Sequence, residues 1–171
     1  MIAPPIPQDE AQRILALRDL LILDTQPEER FDLVTAYCQS RFQVAVALVS
    51  LVDADRQWFK SACGLDAQET PREVSFCAHA ILGSGALVVA DATQDARFFD
   101  NPLVVGPPYI QFYAGAPLIT RSGHAVGTLC LIDPRPRNLE PEELAHLESL
   151  ARAVSIELEG LAPTPTDSAA N

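Results

Sequence analysis

Residues 112–133 read FYAGAPLITRSGHAVGTLCLID, two apolar runs joined at Arg121-Ser-Gly-His124. A short polar link containing glycine between two such runs predicts a β-hairpin, with strands over 111–120 and 125–133. Upstream, residues 44–53 form another apolar run, read as a buried strand. Asp53-Ala-Asp-Arg56 is a tight turn, and 57–63 returns antiparallel until Gly64 ends it. Residues 87–90, Leu-Val-Val-Ala, add a short strand, while 65–73 are polar and read as irregular. Adjacent strands joined by short turns imply an antiparallel sheet. One further short strand is compatible with this pattern.

The remaining elements are helical. Ile14, Leu17 and Leu21 make an apolar stripe over 9–23. Thr25 or Gln26 stands near a helix cap, followed by Pro27, Glu28 and Glu29 in a first turn. The stripe Phe31, Val34, Cys38 and Phe42 then marks a helix over 27–42. A short helix over 75–82 is closed by Gly83 and Gly85. Pro134 and Pro136 precede a long helix over 141–161, where Leu144, Leu147, Ala151, Val154 and Leu158 follow a heptad spacing. The fold class is α+β, with the order ααββαβ, a loop over 91–108, then ββα. Residues 1–8 are Pro-rich and read as a flexible arm, 9–161 as one domain, and 162–171 as a disordered tail.

Composition bounds the chemistry. The chain has 171 residues, 48% hydrophobic and 20% charged, which suits one globular domain with a real core. A net charge of −11 repels phosphate backbones and anionic bilayers, so neither nucleic acid nor a membrane is expected as partner. The longest apolar run, broken by Ser50, is far short of the ~20 residues a spanning helix needs. The N-terminus has no basic segment leading into an apolar one, so the cytoplasm is the expected location. Cys38, Cys63, Cys77 and Cys130 are scattered and read as reduced thiols. His79, His124 and His146 lack the spacing of metal ligands, and no metal is expected. Asp53 and Asp55 lack the glycine and glutamate of a calcium loop. No Gly-rich phosphate loop and no nucleophile elbow is present, so binding without turnover is expected.

The hairpin segment is similar to the last two strands of GAF domains. SFCAHAI (75–81), LVVADATQDARFFDNPLV (87–104) and ALRDLLILDTQPEERFD (16–32) resemble the GAF domains attached to bacterial sensor kinases and diguanylate cyclases. The resemblance implies a PAS-like sheet, with terminal helices on one face and a small-molecule pocket on the other. It also implies a signalling homodimer through helices 9–23 and 141–160, and a kinase or cyclase as output partner. No particular cofactor or ligand follows from it. Bilin-binding members carry Cys followed by His, whereas this chain reads Cys77-Ala-His79. Two alternative readings stand beside the sensor. One is a free methionine-R-sulfoxide reductase-like enzyme using Cys77. Its partner cysteine near Glu69 or Thr70 and another in the 91–108 loop are missing, and Tyr113 stands where an acidic residue is expected. The other is a pure dimerisation module with a vestigial pocket.

The pocket is expected under the short helix and the 91–108 loop. Val74, Cys77 and Ile81 share an apolar face, which points Cys77 inward, while Ser75 and His79 share the polar one. Phe99 and Tyr109 are expected from the loop, Trp58 from its strand, and Phe112 or Tyr113 by alternation. His79 is a candidate polar contact. Such walls suit a small, largely uncharged or ring-containing molecule.

Overall fold

The structure, a computed structural model, describes residues 1–160. The expected 162–171 tail lies outside the described residues. The helices are α1 (Glu10–Asp19), α2 (Glu29–Phe42), α3 (Phe76–Ala80), α4 (Pro102–Val105) and α5 (Pro141–Gly160). The strands are β1 (Val46–Val52), β2 (Arg56–Cys63), β3 (Glu69–Pro71), β4 (Leu87–Val89), β5 (Phe112–Ile119) and β6 (Ala125–Asp133). They form one antiparallel sheet in the order β3-β2-β1-β6-β5-β4. Among the described residues no helix is long and apolar enough to cross a membrane.

The sheet divides two apolar layers. On one face Leu17 of α1, Phe31 and Cys38 of α2, and Leu147, Val154 and Leu158 of α5 meet Val49, Leu51 and Leu129. On the other face α3, α4 and the connecting loops cover Leu48, Phe59, Tyr113, Cys130 and Ile132. Strand alternation partitions the side chains, Val49 and Leu51 going one way and Leu48 the other. At the β1–β6 joint a side chain on Gly127 would run into the Ser50 carbonyl, so glycine is what lets these central strands close together.

Several boundaries differ from the sequence reading. α1 stops at Asp19 because Leu21 and Asp24 take left-handed backbone, φ 53° and 62°, which turns Ile22 back into the core. α2 begins at Glu29, with Glu28 extended at its cap. Thr25, expected near that cap, instead donates to the Ile22 carbonyl and accepts from Lys60 Nζ. The Lys60 ammonium is fully buried and also pairs with Glu28 and the Gln26 carbonyl, which fixes the α1–α2 link to the sheet. β3 and α4 lie in stretches read as irregular or loop. Residues 1–8, expected as an arm, hold no strand or full helix, and Ile2 donates to the Arg97 carbonyl.

Most of the apolar stripe residues assigned to a dimer seam are consumed inside the chain, although Leu21 is exposed and Leu144 half-buried. Leu147, Val154 and Leu158 are at most 1% exposed, and Leu17 is fully covered. Helix-on-sheet burial satisfies the heptad spacing without a partner.

α1 is bolted to the sheet by a buried cation. The Arg13 guanidinium donates to the carbonyls of Val52 and Ala125 and grips Glu10, which Arg72 also holds. Burial raises the Glu10 carboxyl, but hydrogen bonds from Arg13 and Arg72 outweigh it and hold it at about 2, against an ordinary 4.5. A carboxyl depressed on folding stabilises above its unfolded value, and that contribution is lost as pH falls through about 2. We expect urea midpoints to fall between about pH 5 and about pH 2, and Glu10→Gln to flatten part of that fall. An identical acid slope in the variant would refute the assignment.

Candidate functional site

Between the sheet and its loop-bearing cover lies a cavity of about 220 Å3. Leu48, Phe59 and Ile132 rise from the sheet, Phe76 and Cys77 descend from α3, and Leu103, Pro107, Pro108 and Ile110 close the side. No charged residue contributes to the lining. An apolar cavity of ~150 Å3 takes benzene, so this space is scaled to a single-ring molecule.

The polar groups gather around Gln57. Its Oε1 accepts from Ser50 Oγ at 3.1 Å and Ser75 Oγ at 2.9 Å, and its Nε2 donates to Thr70 Oγ1 at 2.7 Å. Ser75 also caps α3 by accepting from the Ala78 N–H. Asn101, buried in the loop, donates to the Val74 carbonyl and ties α4 to the start of α3. The cover is thus held by directed bonds as well as packing.

Cys77 sits at the inner end of α3 with its sulfur surrounded by donors. Tyr113 and Thr128 hydroxyls donate to Sγ at 3.2 Å and 3.1 Å, and Cys130 Sγ lies at 3.9 Å. Burial pushes the Cys77 thiol up, but hydrogen bonding by its neighbours, the Thr128 and Tyr113 hydroxyls among them, outweighs it and brings it below the ordinary thiol value. Cys130 moves the opposite way, because its contact with Cys77 and its burial both favour the protonated thiol. Tyr113 reaches Cys77 by lying over Gly115, where a Cβ would sit 2.6 Å from the ring Cζ. Gly115→Ala is therefore expected to displace the phenol and cost about 1–3 kcal/mol, read by thermal unfolding. An unchanged melting temperature would contradict this packing.

Of the residues expected at the pocket, Cys77 and Tyr113 line the cavity. Trp58 and Phe112 do not, because the register of β2 and β5 turns both toward the helices. Phe99 and Tyr109 stand outside at 53% and 54% exposure, and Phe98 fills the inward position by stacking on Phe76. His79 also faces outward. Its Nε2 meets the Ile2 carbonyl, its ring abuts Phe98, and burial lowers its imidazole. Gln57, Phe59 and the small polar residues Ser50 and Thr128 were not singled out. Their signal was present, since polar side chains in apolar strands need partners on a face that is not packed solid. Among the described residues no cluster of three or more metal-ligating side chains occurs.

A six-stranded antiparallel sheet with helices on one face and a covered apolar cavity on the other defines a PAS-like α+β domain. The chain belongs to the GAF domain family, which matches residues 26–158. It is 47% identical over 165 residues to a protein of Pseudomonas aeruginosa named as a cyclic di-GMP phosphodiesterase, covering 96% of this chain. The chain spans 28% of that relative's length. The fold is similar to the GAF domain of a phosphoenolpyruvate-protein phosphotransferase from Coxiella burnetii. There the TM-score is 0.66 at 16% identity, over 88% of this chain and 95% of that one. It is also similar to a free methionine-R-sulfoxide reductase from Neisseria meningitidis in complex with its substrate. That match has a TM-score of 0.64 at 15% identity, over 94% of this chain and 96% of that one. At such identities both likenesses are of fold alone. The expectation of binding without turnover is corrected by the Pseudomonas relative, which is named as an enzyme.

Proposed function

We propose that this GAF domain is the regulatory sensor of a protein that acts on cyclic di-GMP, and that its cavity takes a small, neutral, ring-containing molecule. The observation that carries this is the cavity itself, sized for one ring and free of charged lining. A cyclic dinucleotide presents two phosphates, and nothing in the lining would pair with them. The ligand is thus of a different class from the substrate in the relative's name. Four free cysteines are consistent with a reducing cytoplasm.

Output is assigned to the helices of a homodimer. With most of the expected stripes of α1 and α5 buried, exposed apolar residues on adjacent α2 and α5 include Leu33 and Ile156, 62% and 64% exposed. The Arg30–Glu157 pair holds these two helices side by side. Indole serves as the test ligand. Saturating indole is expected to raise the melting temperature of the reduced protein, by about 2.7 kcal/mol of stabilisation at a hundredfold excess over Kd. No shift at millimolar indole would remove the ligand reading. A monomer by light scattering, unaffected by Ile156→Asp, would remove the dimer.

A further inference from the structure

The cavity reading leaves one group unexplained. Cys77 and Cys130 come from α3 and β6, elements on opposite sides of the packed layer, and their sulfurs meet at 3.9 Å. Cys77 lines the cavity, whereas Cys130 lies behind it, fully buried. Two hydroxyls, of Tyr113 and Thr128, donate to the Cys77 sulfur, and the Cys130 sulfur stands against it at 3.9 Å. That arrangement favours a thiolate at Cys77 and keeps a protonated thiol beside it, as the opposed displacements of their acidities also indicate. Cys38 shows the contrast: equally buried but without such donors, it is pushed up to about 12.

Resting on the reading of the cavity as the ligand site, we propose that Cys77 and Cys130 form a redox dithiol, oxidised to a disulfide by a small apolar organic hydroperoxide that enters the cavity. The Cys77 thiolate attacks the terminal peroxide oxygen and the O–O bond breaks. Cys77 becomes a sulfenic acid, and the departing alkoxide takes the proton that Cys77 gave up on ionising. The Cys130 sulfur then attacks the Cys77 sulfur. The S–O bond breaks, and hydroxide leaves as water with the Cys130 proton. Two thiols and one hydroperoxide yield one disulfide, one alcohol and one water. Two electrons pass from the sulfurs to the peroxide. The apolar lining around the Cys77 sulfur selects an organic hydroperoxide over hydrogen peroxide. The new bond draws α3 toward β6, and α3 carries Phe76 and Ser75, which shape the cavity and anchor Gln57.

The test uses the whole reduced chain with one equivalent of cumene hydroperoxide, which has a single ring. Intact mass is expected to fall by about 2 Da, with a peptide map joining Cys77 to Cys130. At equal concentration the reaction is expected to run at least about tenfold faster than with hydrogen peroxide. Cys130→Ser should stop at a Cys77 sulfenic acid, about 16 Da heavier and trapped by dimedone. Cys77→Ser should show neither product. Should that variant fail to fold, the peptide map of the unaltered protein still decides. A bond to Cys38 or Cys63, oxidation confined to half-exposed Cys63, or hydrogen peroxide reacting as fast would each overturn the proposal. The indole melting shift of the reduced protein is read separately. A shift with no Cys77–Cys130 bond would sink the dithiol and leave the ligand reading intact, whereas no shift would count against the ligand reading.

Discussion

Leu158→Asp is expected to unfold the domain rather than split a dimer. Leu158 is 1% exposed in the layer between α5 and the sheet, beside Val154 and Leu147. Removing its burial costs about 2–3 kcal/mol, and the carboxylate has no cation waiting for it there. Together these exceed about 4 kcal/mol, most of the stability of an ordinary domain. Circular dichroism should show a lost or broadened transition at room temperature, with aggregation on gel filtration. A folded monomer melting within a few degrees of the parent would mean that α5 packs elsewhere.

Arg13→Ala is the second large effect. Its guanidinium is 1% exposed and satisfies the Val52 and Ala125 carbonyls at the end of the central strands, besides gripping Glu10. Truncation leaves a void and a carbonyl without its donor, and Arg72 alone to hold Glu10. Breaking a buried pair of this kind costs about 3–5 kcal/mol. Urea denaturation should show that loss, with part of the acid sensitivity assigned to Glu10 gone as well. A loss below about 1 kcal/mol would show that solvent replaces the guanidinium at little cost.

The sheet was legible because its strands announce themselves. The 112–133 hairpin and the 44–53 run were placed to within a residue or two of β5, β6 and β1. β3 escaped because Glu69–Pro71 is short and polar, and it becomes a strand through pairing with Arg56–Trp58 at the sheet edge. α4 escaped for a related reason. Four residues carry no periodicity, and its start depends on the Asn101 carboxamide capping Leu103.

The site was half legible. Alternation sets Trp58 opposite Gln57 and Phe59, and Phe112 opposite Tyr113, as the two packed layers show. It does not say which set faces the cavity. Trp58 was expected inward, whereas it packs in the helix-covered layer. The polar residues Ser50, Gln57 and Thr128 would have fixed the sign, since each finds its hydrogen bond on the cavity side. Heptad spacing misled for a comparable reason: a helix lying on a sheet presents the same stripe as one in a bundle.

The strand order has a bearing on how the chain reaches this state. β1, β2 and β3 come from the first half of the sequence and β4, β5 and β6 from the second, and the two sets meet at the β1–β6 ladder alone. Each set can assemble from near neighbours, but joining them pairs Ala47 with Leu131 and Leu51 with Gly127, partners far apart along the chain. Closing so long a loop is entropically slow, so this joint governs the folding rate. Substitutions at the seam, Gly127 foremost, should slow folding, while those at the β4 edge should chiefly hasten unfolding.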